Sequence, residues 1–351
     1  MPISAKTQEL RLLPGESPFA GLQRIAAHSV HQTLTQITFP SRVRANDLHD
    51  VRVCIKFLRA LLRLVRPMLD KAVFRSEDKR LKAVSAQLSF RRDVTVARRT
   101  LQRLAARAGA TPEDKSALGL ALRGFGLDRA NRTPASESLE AAMREAGREL
   151  AQTAEAILAV VPRNDASKRI EEALRKTYRS GRRRMRKAVD SGTDEDFHDW
   201  RKSAKYLFFQ LRTLQPLWPA HLEQMVEQLN ELQKRAGLHQ DLVVLRALLA
   251  EGPTGSFGNR ASLKVVNDIL TRRSRRLRKQ CLSLGRQIYA REPRLFIQGI
   301  TRHIIRYEQK PERAKIATAA RADDTASVVV RLTKPESPGA GAADRALPSA
   351  G

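Results

Sequence analysis

"FHDWRKSAKYLFFQLRTLQPLW", residues 197–218, has a counterpart in "LHDVRVCIKFLRALLRLVRPML", residues 48–69. Aligned without a gap at an offset of 149, the two agree at eight of 22 positions: His-Asp, Arg, Lys, two Leu, Arg and Pro. At about 100° per residue, His49, Arg52, Lys56, Arg59 and Arg63 fall within an arc of roughly 80°. Leu48, Val51, Ile55, Leu58, Leu62 and Val65 form the adjoining arc. Each stretch therefore reads as a helix with an apolar stripe for a core and a cationic stripe beside it. The second copy places His198, Arg201, Lys205 and Arg212 on its cationic stripe, with Lys202 next to it. Its apolar stripe is Phe197, Trp200, Ala204, Leu207, Leu211 and Leu214, and Phe208 stands where the first copy has Arg59.

Solvated helix faces usually mix charges, with Glu set to pair with Lys one turn on. Between Arg52 and Arg66 there is no acidic residue. Lining up like charges costs repulsion, and a bound anion would offset it. The whole composition points the same way: 65 Lys+Arg against 37 Asp+Glu give a net charge of +28. A polyanionic partner is the natural inference from such a surplus. The apolar fraction of 42% supplies a real core and excludes a wholly disordered basic protein.

Apolar residues recur at three- and four-residue spacing almost throughout, so an all-α fold is expected. A first helix is expected over about 19–38. Breaks are expected at 39–47, 109–114, 124–136, 161–167, 191–197 and 251–259, where turn residues cluster. In "VPRNDAS", Asp165 or Ser167 is placed to cap the following helix, and the acidic residues of "SGTDEDF" favour a helix N-terminus. "LSFRRDVTVARRTL" (88–101) and "AGLHQDLVVLRALL" (236–249) extend the repeat, with Asp93 and Asp241 at an offset of 148. An internal duplication of about 150 residues is therefore expected to organise the chain. The strand-like "ASVVVRL" (326–332) lies in a Pro-, Gly- and Ala-rich tail, expected to be disordered over 309–351.

Other helices carry ladders of the same sign. Between Lys168 and Lys187 there are ten basic residues and two acidic ones, with Lys168, Arg175, Arg179, Arg182 and Arg186 on one narrow face. "TRRSRRLRK" (271–279) has six basic residues. Arg91 adds charge beside Asp93, and His239 holds the matching place in the second half. Phosphate oxygens suit Arg forks and Lys point charges. Two distant cysteines imply no disulfide framework, no apolar h-region opens the chain, and no run approaches a bilayer span. A cytoplasmic location is expected, with no membrane partner, cofactor or structural metal.

The paired helices, with "YRSGRRRMRKAV" (178–189) before the second and "LNELQKRAGLHQDLVVL" (229–245) after it, resemble the signature of the CHAD domain, the conserved histidine α-helical domain. The resemblance covers roughly 16–308, after a 15-residue extension. It implies two pseudo-symmetric four-helix halves, 16–160 and 161–308, around a basic groove or channel. It further implies binding of inorganic polyphosphate and association with polyphosphate granules, without catalysis. By matching positions, His49, Arg52, Lys56 and Arg59 would line one side, His198, Arg201 and Lys205 the other, and Arg175, Arg179, Arg182 and His239 would lie between them. Arg63, Arg91, Arg186, Lys202 and Arg212, beside them on the basic stretches, are further candidate polyphosphate contacts. The Glu-x-Glu-x-Lys motif of the triphosphate-tunnel hydrolases that accompany some relatives is absent.

Two other readings use the same residues. Non-specific nucleic-acid binding would exploit every cationic stripe, but 5% aromatic content leaves few stacking platforms. A metal-dependent phosphohydrolase would use the His-Asp doublets together with His28, His31 and Asp93, yet Arg and Lys around them disfavour a bound cation. His221 and His303 have no constellation in the sequence, and Trp200 and Trp218 read as core anchors.

Overall fold

The computed structural model describes residues 9–38, 45–88, 92–107, 111–127, 136–161, 164–251 and 257–308. Arg91, the side chain of Asp93 and the tail from 309 onward lie outside the described residues. Eleven α-helices account for most of the described chain, and no strand occurs among the described residues.

The helices are α1 (Pro18–Thr38), α2 (Ala45–Val65), α3 (Lys71–Gln87), α4 (Arg92–Ala105), α5 (Pro112–Leu127) and α6 (Ser136–Leu158). They continue as α7 (Ala166–Ser191), α8 (Asp194–Leu214), α9 (Pro219–Glu251), α10 (Arg260–Ile288) and α11 (Pro293–Glu308). Their ends follow local chemistry. Asp70 caps α3 by accepting from the Ala72 and Val73 amides at 2.6 and 3.4 Å. Gly192, at φ 64°, ends α7 in the left-handed region, and the Thr193 hydroxyl then accepts from the Asp196 amide at 3.2 Å to open α8. Asn259 caps α10 through the Ser262 amide at 2.8 Å. The cap expected from Asp165 is not made: its carboxylate pairs with Arg169 at 2.8 Å instead, and Arg169 also reaches the Pro67 carbonyl at 2.8 Å. A long-range anchor has replaced a local one.

Helix starts repeat along the chain. Pro18 and Ala166, Ala45 and Asp194, Lys71 and Pro219, and Pro112 and Arg260 are separated by 148, 149, 148 and 148 residues. The halves are not copies, however. The span covered by α9 as one helix of 33 residues is divided in the first half into α3 and α4. Helices α1, α2, α3 and α6 pack together, while α4 and α5 leave that bundle and pack on α9 and α10. Two cores result. The larger holds residues of α1, α2, α3, α6, α7 and α8, the first part of α9 and the end of α10, with α11 docked on α7. The smaller joins Leu101, Leu118 and Phe125 to Leu245, Val266 and Leu270.

The repeated helices α2 and α8 pack directly against one another. Phe57 and Phe209 meet edge to face with centroids 5.4 Å apart, and Gln210 Nε2 donates to the Ala60 carbonyl at 3.0 Å. Burying that amide without a partner would cost about 1–3 kcal/mol. Gln210 therefore fixes the register of α8 on α2. Trp200 is fully buried, as expected of a core anchor, because Gly285 leaves its place empty: a Cβ there would come within 2.6 Å of the indole.

Candidate functional site

The end of α2, α3, α7 and the first half of α8 contribute to one site. An open cavity of about 520 Å³ lies there, lined by Arg59, Arg63, Arg66, Asp78, Lys82, Lys176, Ser180, Arg184, Lys202 and Tyr206 among others. Seven of its side chains are cationic and one, Asp78, is acidic. Asp78 is already engaged: Arg59 Nε donates to Oδ1 at 2.8 Å, and Arg63 donates to both oxygens at 3.0 Å. Burial works against this carboxylate, but those bonds outweigh it and hold its pKa below the ordinary value.

Aromatic rings brace the arginines. Arg63 lies 4.0 Å from the Tyr206 ring centroid and Arg66 lies 4.7 Å from that of Phe74. Such contacts fix a guanidinium without consuming its hydrogen-bond donors on an acid. An adjoining cavity of about 470 Å³ shares Arg184 and adds Arg183, Arg186 and Lys187, with Asp190, Asp196 and Asp199. There Lys187 pairs with Asp196 at 2.7 Å, and Asp199 pairs with Lys202. The second cavity is close to neutral, and the first is not.

The residues singled out from sequence are distributed unevenly. Arg59, Arg63 and Lys202 line the first cavity and Arg186 the second. Arg175 and Arg179 are exposed on α7 and do not line either, because the face turned inward is the one carrying Lys176, Ser180 and Arg184. Arg182 pairs with Glu292 at the start of α11. Arg52 donates to the Leu88 carbonyl at 3.1 Å, beyond the cavity, and Lys56 does not line it. Arg66, Lys82, Lys176, Arg184 and Tyr206 were not singled out. On α7 the signal is a face of small residues, Ala173, Thr177 and Ser180, shared with Lys176 and Arg184; Arg66, Lys82 and Tyr206 carry no such local signal.

On α8 the cationic stripe crowds itself. Lys205 lies over the Phe208 and Phe209 rings, at 5.6 and 5.0 Å. Burial first, then Arg201 and Arg212, push its pKa down to about 8. Arg212 is itself lowered by burial and by Arg11. Burial disfavours the charged form of His198 and His239. His198 Nδ1 is 2.6 Å from Gln240 Oε1, and burial, with Lys202 and Arg201 nearby, lowers its pKa. His239 is fully buried; burial and three arginines push it down to about 4, although Asp194 lies 3.4 Å away. His49 is exposed in the first turn of α2.

Among the described residues no three His, Cys, Asp or Glu side chains group closely enough to hold a metal ion. His28 is instead paired with Glu9 at 3.0 Å. No described helix is long and apolar enough to cross a membrane. His221 and His303, which the sequence leaves isolated, are brought together by Trp218: their rings stack on the indole at 4.2 and 4.7 Å.

A sequence comparison with curated proteins returns no match. The family model of the CHAD domain matches residues 26–250, more than half of the chain, and spans α2, α7, α8 and α9 with the first cavity. The chain belongs to the CHAD-domain family.

Proposed function

We propose that this protein binds inorganic polyphosphate in the cavity between α2, α3, α7 and α8, as a binding module without catalysis. The observation that carries the reading is the charge of that cavity: seven cations share it with one carboxylate, which two of them already hold. At separations of a few ångströms such charges repel, and the repulsion is relieved when phosphate oxygens enter. Arg forks and Lys ammonium groups on three sides suit a thin, flexible phosphate chain better than a rigid duplex. Family membership supports the same reading. The role that follows is association with polyphosphate granules in the cytoplasm. Binding would proceed by charge pairing with release of counterions, and so would weaken steeply with salt.

The test compares long-chain polyphosphate with DNA and RNA of matched phosphate content at about 0.15 M salt. Its variant carries Arg66→Ala, Lys176→Ala and Lys202→Ala, three residues on different walls that leave the Asp78 network intact. Polyphosphate preference lost in the variant is the expected result. Equal binding of all three polymers, unaffected by the substitutions, would reduce the cavity to part of a generic basic surface.

A further inference from the structure

The Trp218 cluster lies outside the basic cavity and has its own opening, of about 410 Å³, between the start of α9 and α11. Its walls offer an aromatic platform and two cations: Trp218 and His303 on one hand, Arg291 and Arg302 on the other, with Leu295 beside them. Leu295 is 59% exposed, one of few large apolar side chains left open to solvent. Nothing in the repeated architecture demands these residues. The first-half positions matching Trp218 and His221 are Leu69 and Val73, plain aliphatics.

The platform is built rather than incidental. Gly299 has no side chain, and a Cβ there would lie 2.5 Å from the indole, so α11 receives the Trp218 ring against its backbone. His221 and His303 stack on that ring with interplanar angles of 30° and 15°. Burial, Arg291 and His303 lower the His221 pKa, which keeps a second cation off the platform. The Arg291 carbonyl accepts from the Tyr178 hydroxyl at 3.0 Å, which anchors the turn that carries its guanidinium. Flat apolar rings next to two exposed arginines have the chemistry to hold a flat heteroaromatic ring that carries a negative group.

We propose that this opening is a nucleotide-type site, taking a heteroaromatic base beside the His303–Trp218 stack, against His303 and Leu295, and its phosphate on Arg291 and Arg302. The same base-plus-phosphate unit occurs in a free nucleotide and in a single-stranded nucleic acid, so both are probes. It is independent of polyphosphate binding and stands or falls separately.

The readout is tryptophan fluorescence of the full chain, since Trp200 is fully buried and Trp218 is partly exposed. AMP, ATP and a short oligoribonucleotide are titrated against adenosine and inorganic triphosphate. Saturable quenching by AMP or by the oligonucleotide, absent in Trp218→Phe, is expected, and the tighter of the two identifies the source. The double variant Arg291→Ala/Arg302→Ala, both at exposed positions, should weaken it about tenfold or more while leaving polyphosphate binding unchanged. No saturable signal, equal binding of triphosphate alone, or no effect of the double variant would each overturn the proposal.

Discussion

The cavity between α2, α3, α7 and α8 and the region between α8, α9, α1 and α2 are built from positions 148 or 149 residues apart, yet their walls differ in charge almost everywhere. Arg59, Arg66, Lys82, Lys176 and Lys202 of the cavity correspond to Phe208, Gln215, Asn230, His28 and Val53. Only Arg63 finds a cation, Arg212, and Asp78 corresponds to Val226. The second region is served from within the chain. Glu9 lies 3.0 Å from His28 and accepts from Gln32 at 3.0 Å, and the Leu12 amide donates to the Thr213 carbonyl at 3.2 Å. Arg24 gathers the same segment, donating to the Glu9 and Arg11 carbonyls and to Glu16. Both matched helices keep their apolar stripes, because each packs into a core. In the proposed reading, cations are needed only on the side that meets an external anion. On the side where residues 9–16 already supply carboxylates and carbonyls, apolar and neutral residues have taken their places.

The largest expected effect concerns that internal cover. The side chains of Glu16 and Arg24 are only 1% and 8% exposed and meet at 2.6 Å. Glu16→Gln leaves a buried guanidinium without its counter-charge, a change that costs about 3–5 kcal/mol. Urea denaturation should show the loss, with polyphosphate affinity of the folded fraction unchanged. Next comes binding itself. Arg66→Ala with Lys176→Ala and Lys202→Ala should weaken polyphosphate binding roughly 100-fold, whereas His28→Ala with Arg212→Ala should change it by no more than about twofold. Fluorescence anisotropy with labelled polyphosphate checks both. Comparable losses in the two variants would mean that both sides engage the polymer and that the charge asymmetry has no bearing on binding.

Acidity separates the sides further, with effects of about 2–3 kcal/mol. His239 has a folded pKa of about 4, below its ordinary 6.5. Its contribution to stability is fully present above pH 6.5 and is lost as pH falls toward 4, so moving from pH 7 to 5 should cost about 2 kcal/mol. His239→Gln should flatten that slope. Lys205 titrates near 8 rather than 10.5, so it destabilises the fold while charged, and stability rises as pH passes from 8 to 10.5. Lys205→Met should therefore stabilise the protein by about 3 kcal/mol at pH 7, an advantage that fades by pH 10.5. Thermal melts across the range test both signs.

Much of this architecture is legible in the sequence, and the limits have physical causes. The apolar stripes of α2 and α8 are local and periodic, so the all-α fold and the matched helices could be read from spacing alone. The turn at Gly192 and Thr193 was equally plain. Which neighbouring face of α7 turns inward was not, since Lys176 and Arg175 differ by one step of about 100° and only packing against α8 decides between them. Charge state is hidden for a similar reason: the sequence places His198 on a cationic stripe, whereas burial lowers its pKa and that of His239. The stack of His221, Trp218 and His303 joins segments far apart in sequence, and no local pattern announces it.

The smallest expected effect bears on the one acid in the cavity. Asp78 holds the forks of Arg59 and Arg63, and its side chain is 23% exposed. Asp78→Asn should cost about 1 kcal/mol of stability, since a partly exposed pair contributes little. Its effect on binding has two competing parts. The carboxylate neutralises charge and occupies donors that phosphate would use, so removing it should raise affinity; it also fixes two long side chains, so removing it frees them to move. Tyr206 and Phe74 already brace Arg63, at 4.0 and 5.9 Å, and much of the positioning survives the loss of Asp78. Affinity should therefore rise, by about threefold at low salt, with the gain shrinking as salt screens the added charge. A fall in affinity, measured by the same anisotropy assay, would instead make Asp78 the residue that aims the arginines. The first half would then owe its site to an acid–base network that the second half, with Val226 and Phe208, does not have.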